Sequence, residues 1–202
     1  MFALRSRART AAIAVPLALA GLVAATSSAS AAPVKTYFDC RVGTTTGLAY
    51  STYVDAVAPA TVAPGATFEL TLDPDPITPN PAYNQSVKDV ALQFKLPDGA
   101  TVVSYDVADG GDAGTPTLEV DGTKAVLHAA GPYVSDTPFD LPKVTFELQA
   151  PETPTTLETR FGGTSHDDPG FSWTFTPASW PGEAQLACWP DQPIALVKTV
   201  VQ

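Results

Sequence analysis

The sequence predicts an all-β protein, a two-sheet antiparallel β-sandwich of about ten strands preceded by a secretory signal peptide. Three observations predict this fold class. Apolar and polar residues alternate with a period of two along most of the chain, which is typical of half-buried antiparallel strands. Gly- and Pro-containing turn signals separate these runs at short intervals. After the N-terminal segment, no stretch shows the 3.6-residue period of an amphipathic helix.

The N-terminal segment has the three parts of a signal peptide. Three arginines occur without any acid, an apolar run of 15 residues follows, and small residues complete the segment. Ala29 and Ala31 fit an A-x-A cleavage site, so we expect residues 1–31 to be removed and residues 32–202 to form a single domain. The apolar run is shorter than the roughly 20 residues of a membrane-spanning helix.

The exported chain is strongly acidic. It keeps eight of the 11 basic residues and all 21 acids, which gives a net charge of −13. This charge repels nucleic acid and anionic lipid surfaces, so we expect no nucleic-acid partner. No later apolar stretch is long enough to span a bilayer. We therefore expect a secreted protein, either extracellular or associated with the cell envelope.

Cys40 and Cys188 are the two cysteines of the sequence. In the oxidising environment of an exported protein, two thiols usually pair. We predict a disulfide between them that closes almost the whole domain and stabilises it by on the order of 5 kcal/mol in the chain-entropy model. The alternative is two separate buried thiols.

The predicted strands follow one another between turn signals, and each presents one apolar face. In "FSWTFT", Phe171, Trp173 and Phe175 share a face, so we expect them in the core. The predicted runs are "TYFDCRV", "GLAYSTYVDAV", "ATFELTL", "VALQFKLP", "TVVSYDV", "TLEV", "KAVLHAA", "KVTFELQA", "TLETRF", "FSWTFT" and "AQLACW".

Two further segments need separate treatment. "DPDPITPNPAYNQS", residues 73–86, contains four prolines, which cannot lie in a central strand; we predict an extended crossover loop with a surface-exposed sequon at Asn84. "PIALVKTVVQ" has two interpretations, since Lys198 is its only charge. It is either the final strand of the sandwich or an edge strand that pairs with another chain to form a dimer.

The order of these segments resembles that of small secreted proteins of actinobacteria. The resemblance rests on the Ala-rich signal, the early Cys, "APATVAPGATFELTL", "LQFKLPDGATVVSYDVADGG", "AAGPY", "LPKVTFELQA" and a late "CWP". It covers most of the exported chain and implies an immunoglobulin-like β-sandwich. Most proteins of this kind have no assigned function, so the resemblance implies no catalytic residues.

The stretch "YDVADGGDAGTP" places Asp106, Asp109 and Asp112 three residues apart among glycines. Calcium takes six to eight oxygen ligands, and these carboxylates could supply part of that set, completed by "HDDPG" at 166–170. The same composition is typical of a plain turn between strands. We expect no cofactor other than this calcium candidate.

Two tryptophans are candidates for ligand contact. Trp180 in "ASWPG" and Trp189 in "CWPD" both precede prolines in turn-like settings, and exposed rings of this kind suit a glycan. The alternative is that both rings cover the disulfide.

The sequence contains no established catalytic motif. It lacks GxSxG, HExxH and a phosphate-binding glycine loop. His128 lies on a predicted strand, and His166 has Ser165 and Asp167 only as sequence neighbours, whereas the members of a catalytic triad meet in space. We predict a non-catalytic protein that binds a cell-envelope glycan or another protein. The alternatives are a secreted envelope hydrolase with an unrecognised acidic site and a purely structural surface protein.

Overall fold

A computed structural model of the protein describes residues 28–30, 32–108 and 114–202. All regular secondary-structure elements within these ranges are β-strands, so the predicted all-β class is confirmed. No helix in this part of the chain is long and apolar enough to cross a membrane. The strands are β1 (Ser28–Ser30), β2 (Val34–Val42), β3 (Thr45–Pro59), β4 (Thr61–Val62), β5 (Thr67–Pro74), β6 (Asn84–Lys95), β7 (Thr101–Val107), β8 (Thr117–Asp121), β9 (Lys124–Ala129), β10 (Tyr133–Val134), β11 (Val144–Gln149), β12 (Thr155–Phe161), β13 (Phe171–Pro177), β14 (Ala184–Pro190) and β15 (Ala195–Val201).

The strands form one continuous hydrogen-bonded path. Its order is β4-β15-β12-β6-β13-β14-β2-β3-β5-β11-β7, and β1, β8, β9 and β10 pair beside it. The ladder between β15 and β4 is parallel; the other ladders of the described strands are antiparallel. Most of the predicted signal peptide lies outside the described residues, but Ser28–Ser30 pairs with Val57–Pro59 of β3.

Aromatic contacts show that this path folds over into two facing layers. Phe38 on β2 and Phe161 on β12 are four strands apart in the order above, which would separate them by about 19 Å in a flat sheet. Their ring centroids are only 5.0 Å apart. Tyr50 on β3 and Phe171 on β13 are three strands apart and stack at 4.7 Å. The rings therefore lie between the layers of a sandwich, as predicted.

The core is built from the apolar face of each strand. Phe171, Trp173 and Phe175 are all buried, which confirms the prediction for β13. Burial also raises the pKa of Tyr50, and a hydrogen bond with Thr52 offsets part of this rise. The period of two thus identifies correctly which side of β13 faces inwards.

Cys40 and Cys188 form the predicted disulfide. The two residues are direct cross-strand partners on β2 and β14, both are buried, and 148 positions separate them in sequence. The bond therefore joins two neighbouring strands near the beginning and the end of the described domain.

One sequence expectation needs correction. The sequon begins inside β6 and not in the crossover loop, and Asn84 is buried because its amide donates to the Asn80 carbonyl and its own carbonyl accepts from Ser135. The C-terminal segment is the final strand of the sandwich. β15 pairs with β12 along most of its length and with β4 only at Val200 and Val201, so pairing of this segment with another chain stays a prediction.

Candidate functional site

The solvent side of β3, β2 and β14 carries three aromatic residues in a row. Alternation on β2 buries Phe38 and Cys40 and turns Lys35, Tyr37 and Asp39 outwards. Lys35 is the cross-strand partner of Tyr53 on β3, and Asp39 is the partner of Trp189 on β14. Cross-strand partners share a face, so we call Lys35, Tyr37, Asp39, Tyr53 and Trp189 the aromatic face.

Lys35 holds the two tyrosine rings of the aromatic face together. Its Nζ lies 5.0 Å from the ring centroid of Tyr37 and 5.4 Å from that of Tyr53. Each such cation–π contact contributes about 0.5–1 kcal/mol at an exposed site. Tyr37 and Tyr53 nevertheless stay 58% and 39% exposed. The rings are therefore oriented before any ligand arrives and remain accessible to it.

A depression of about 320 Å³ lies beside the ring of Tyr37. Its lining includes Asp39 and Asp191, together with Leu48 and the small residues Gly47 and Ala49. Carboxylates are acceptors for hydroxyl donors, and an aromatic ring offers an apolar surface. The depression thus combines one apolar wall with two acceptors, a pattern that suits a small polar ring with an apolar face.

A tight loop at residues 164–168 borders the aromatic face on the side of Asp39. Ser165 Oγ accepts hydrogen bonds from the backbone N–H groups of Asp167 and Asp168, both at 3.2 Å. Thr164 N–H donates to the carbonyl of Asp168 at 2.9 Å. The loop is consequently closed by its own polar groups.

Ion pairs attach this loop to the sheet. Arg41 on β2 contacts Asp167 at 2.6 Å, and Lys124 on β9 contacts Asp168 at 2.9 Å. The hydrogen bond from Arg41 lowers the pKa of Asp167, and the hydrogen bond from Lys124 lowers that of Asp168. Both carboxylates therefore already have cationic partners, which weakens the case that "HDDPG" completes a calcium site.

The side chain of His166 connects this loop to the aromatic face. Its side chain is mostly buried, and Nε2 is 3.6 Å from Asp39 Oδ2. Ser165 and Asp167 are engaged with the backbone and with Arg41 respectively. The sequence neighbours of His166 therefore act as structural groups of the loop.

The two predicted tryptophans do not form one platform. Trp189 belongs to the aromatic face, on the side of β14 opposite the buried Cys188, so it does not cover the disulfide from the core. Trp180 lies in the loop before β14 and is 47% exposed, and its ring meets Phe175 edge-on at 6.4 Å. Phe175 is the cross-strand partner of Ala184, and the five steps from Ala184 to Trp189 correspond to about 16 Å, so the two indoles lie near opposite ends of β14.

The aspartate stretch is only partly described. Asp106 lies on β7 opposite Thr145, whereas Asp109 and Asp112 lie outside the described residues. No group of three or more His, Cys, Asp or Glu side chains suited to a metal occurs in the described ranges. Calcium binding by this stretch stays a prediction.

Sequence reasoning missed Lys35, Tyr37 and Tyr53. The signal was present in "KTYFD" and "STYVD", where a tyrosine occupies the outward position of a predicted strand. Only the pairing of β2 with β3 shows that these residues meet.

Comparisons with known proteins give distant similarities. No family model matches the chain, and no curated protein matches it. A crystal structure of a Corynebacterium diphtheriae protein described as membrane-anchored is 14% identical with a TM-score of 0.48, and covers 85% of this chain and 38% of that chain. The sixth cohesin of Acetivibrio cellulolyticus scaffoldin B, solved in complex with a Cel5 dockerin, is 11% identical with a TM-score of 0.38, over 71% and 92% of the two chains. Both TM-scores are below 0.5, so the fold assignment rests on the strand pairing and ring contacts of this chain.

Proposed function

We propose that the protein is a secreted, non-catalytic module that binds a neutral polysaccharide on the aromatic face. The observation that carries this proposal is the diagonal row Tyr53–Tyr37–Trp189 across three neighbouring strands. Diagonal neighbours on a sheet are about 7–8 Å apart, so the row extends over about 15 Å. An extended glycan can place successive sugar rings along a row of this length.

The chemistry of the face favours a glycan over other ligands. The apolar C–H side of a sugar ring packs on an aromatic ring, and its hydroxyls donate to carboxylates such as Asp39 and Asp191. The acidic chain repels acidic polymers, which favours a polysaccharide without carboxylate or phosphate groups. Proteins of the same fold class carry many unrelated functions, so the proposal depends on this face and not on the fold.

The test is co-sedimentation of purified residues 32–202 with insoluble polysaccharides and with bacterial cell walls. We expect retention on at least one neutral polysaccharide, and about tenfold weaker binding for Tyr37→Ala and Trp189→Ala, since a stacked ring contributes on the order of 1.4 kcal/mol. Trp180→Ala and Tyr83→Ala are matched controls, because both remove an exposed ring outside the aromatic face.

Other outcomes would contradict the proposal in different ways. Loss of binding in Trp180→Ala but not in Tyr37→Ala would move the ligand to the loop before β14. Release of soluble sugars during the incubation would favour the envelope hydrolase. Absence of retention on every material would remove the glycan hypothesis and leave the structural surface protein as the better explanation.

A further inference from the structure

Two strands of the sandwich leave one edge without a neighbouring strand. β7 pairs with β11 alone, and β8 pairs with β9 alone, among the strands that the structure describes. Such an edge presents a row of backbone N–H and C=O groups that can pair with another strand.

A groove of about 720 Å³ lies between the edge of β7 and the end of β8 with the turn that follows it. One wall consists of six consecutive residues, 100–105, and the other of Val120, Gly122 and Thr123. Consecutive strand residues point alternately to opposite faces, so a cavity lined by all six must run along the edge of β7 and not over one face. The groove therefore runs where a further strand paired with β7 would lie.

The floor of the groove is apolar and continuous with the core. Val102 and Val120 are partly buried and pack against the core cluster. Val103 is 53% exposed and lies at a bulge in the ladder with β11. The ring of Tyr105, half-exposed, lies 6.4 Å from that of the buried Phe146. Apolar side chains entering here would extend the core of the sandwich.

The outer face next to this edge is acidic. Glu147 on β11 is the direct partner of Glu69 on β5, and Asp106 lies on β7 itself. None of these three carboxylates takes part in an ion pair with a described residue. Like charges opposite each other on neighbouring strands are destabilising, so an incoming cation would relieve this repulsion.

We propose that this groove binds an extended segment of a partner protein as an added β-strand in which apolar and basic residues alternate. The apolar side chains would face Val102, Tyr105 and Val120, and the Lys or Arg side chains would face Asp106 and Glu147. A second copy of this chain is disfavoured as the occupant, because the exported chain carries a net charge of −13 and repels itself. The site is separate from the aromatic face and does not depend on glycan binding.

The test uses a fluorescent seven-residue peptide of alternating lysine and valine, matching the length of β7, and measures polarisation. Any lysine peptide is attracted to an acidic protein, so the essential control is a shuffled peptide of the same composition without the alternation. We expect at least tenfold tighter binding of the alternating peptide. Two further peptides, N-methylated at odd or at even positions, remove alternate backbone donors, and at least one should lose binding tenfold or more.

Variants of the protein locate the binding site. Val103→Lys should weaken binding of the alternating peptide at least fivefold, while Val134→Lys, at a valine that is 64% exposed elsewhere, should leave it unchanged. Glu147→Gln combined with Asp106→Asn should weaken it about threefold and reduce its dependence on salt. Hydrogen exchange of residues 101–107 should slow when the peptide is bound.

Several results would overturn the proposal. Equal binding of the shuffled peptide, full binding of both N-methylated peptides, or equal effects of Val103→Lys and Val134→Lys would show that no strand is added at β7. Absence of binding up to millimolar peptide would do the same. A dimer of the protein that Val103→Lys disrupts would show that the groove is occupied by a second copy and not by a basic partner.

Discussion

Removal of the disulfide should cost a large part of the folding free energy. The change is the double variant Cys40→Ala with Cys188→Ala. The bond closes a sequence separation of 148, for which the chain-entropy model gives about 5 kcal/mol at 25 °C. Domains of this size are typically stable by about 5–15 kcal/mol. The variant should therefore retain only a small margin of stability, because its unfolded chain regains the freedom that the bond removes.

The folded state should change much less than the unfolded state. Cys40 and Cys188 are one rung of a five-residue ladder between β2 and β14, and the remaining backbone pairs can persist without the sulfur atoms. The buried Trp173 provides a fluorescence signal for unfolding. Urea titrations should show a lower free energy of unfolding and a larger m-value, since the open chain exposes more surface when it unfolds.

Reduced wild-type protein is the matched control. It should unfold at the same urea concentration as the double variant, because both lack the same constraint on the unfolded chain. A loss below about 1 kcal/mol in the double variant, with equal stability of reduced and oxidised wild type, would refute the entropic reasoning.

Three further predictions concern charge, backbone geometry and calcium. Hydrogen bonds from Lys198 and, to a smaller extent, from Arg160 lower the pKa of Glu158 from its ordinary 4.5 to about 2. As pH falls, the unfolded chain takes up this proton before the folded chain does, so the free energy of unfolding should fall between about pH 5 and pH 2. The difference between the urea midpoints at pH 7 and pH 3 should be smaller in Glu158→Gln than in the wild type, and an unchanged difference would contradict the assignment. Gly163→Ala should destabilise by about 2 kcal/mol or more, because φ is +86° and a Cβ there would lie 2.1 Å from a neighbouring backbone nitrogen. Gly43→Ala, where φ is +56° but no atom lies within 4 Å, should be milder in the same thermal melts, and equal melting temperatures would remove the steric argument. Millimolar calcium should raise the melting temperature and a chelator should lower it if the aspartate stretch binds the ion; no shift would end that hypothesis.

The sequence was sufficient to predict most of the long strands and the buried face of β13. The runs "ATFELTL", "TLETRF" and "FSWTFT" correspond to β5, β12 and β13 within about two residues, because a period of two reports directly on one-sided burial. The short strands β4 and β10 have two residues each, which is too short for any period to be recognised.

Strand order could not be predicted, and the candidate sites depend on it. Tyr37 and Trp189 are about 150 positions apart in sequence and meet only because β2 pairs with β14. The edge at β7 likewise follows from the order of strands, whereas the sequence left open whether the segment around Lys198 is a final strand or an edge strand. Asn84 was wrongly predicted to lie in an exposed loop, because the prolines that precede it are typical of a loop and β6 begins shortly after them.

The position of Cys40 and Cys188 also determines how the protein responds to tension. A separation of 148 residues corresponds to about 500 Å of extended chain. When a force acts on the chain before Cys40 and after Cys188, the disulfide carries it, so the chain between the two cysteines is not extended. Under such a force only the described residues before Cys40 and those after Cys188 can detach, so β1 would separate from β3, and β15 from β12 and β4. The oxidised protein would thus act as a short and almost inextensible tether, and reduction would release a hidden length many times the width of the domain.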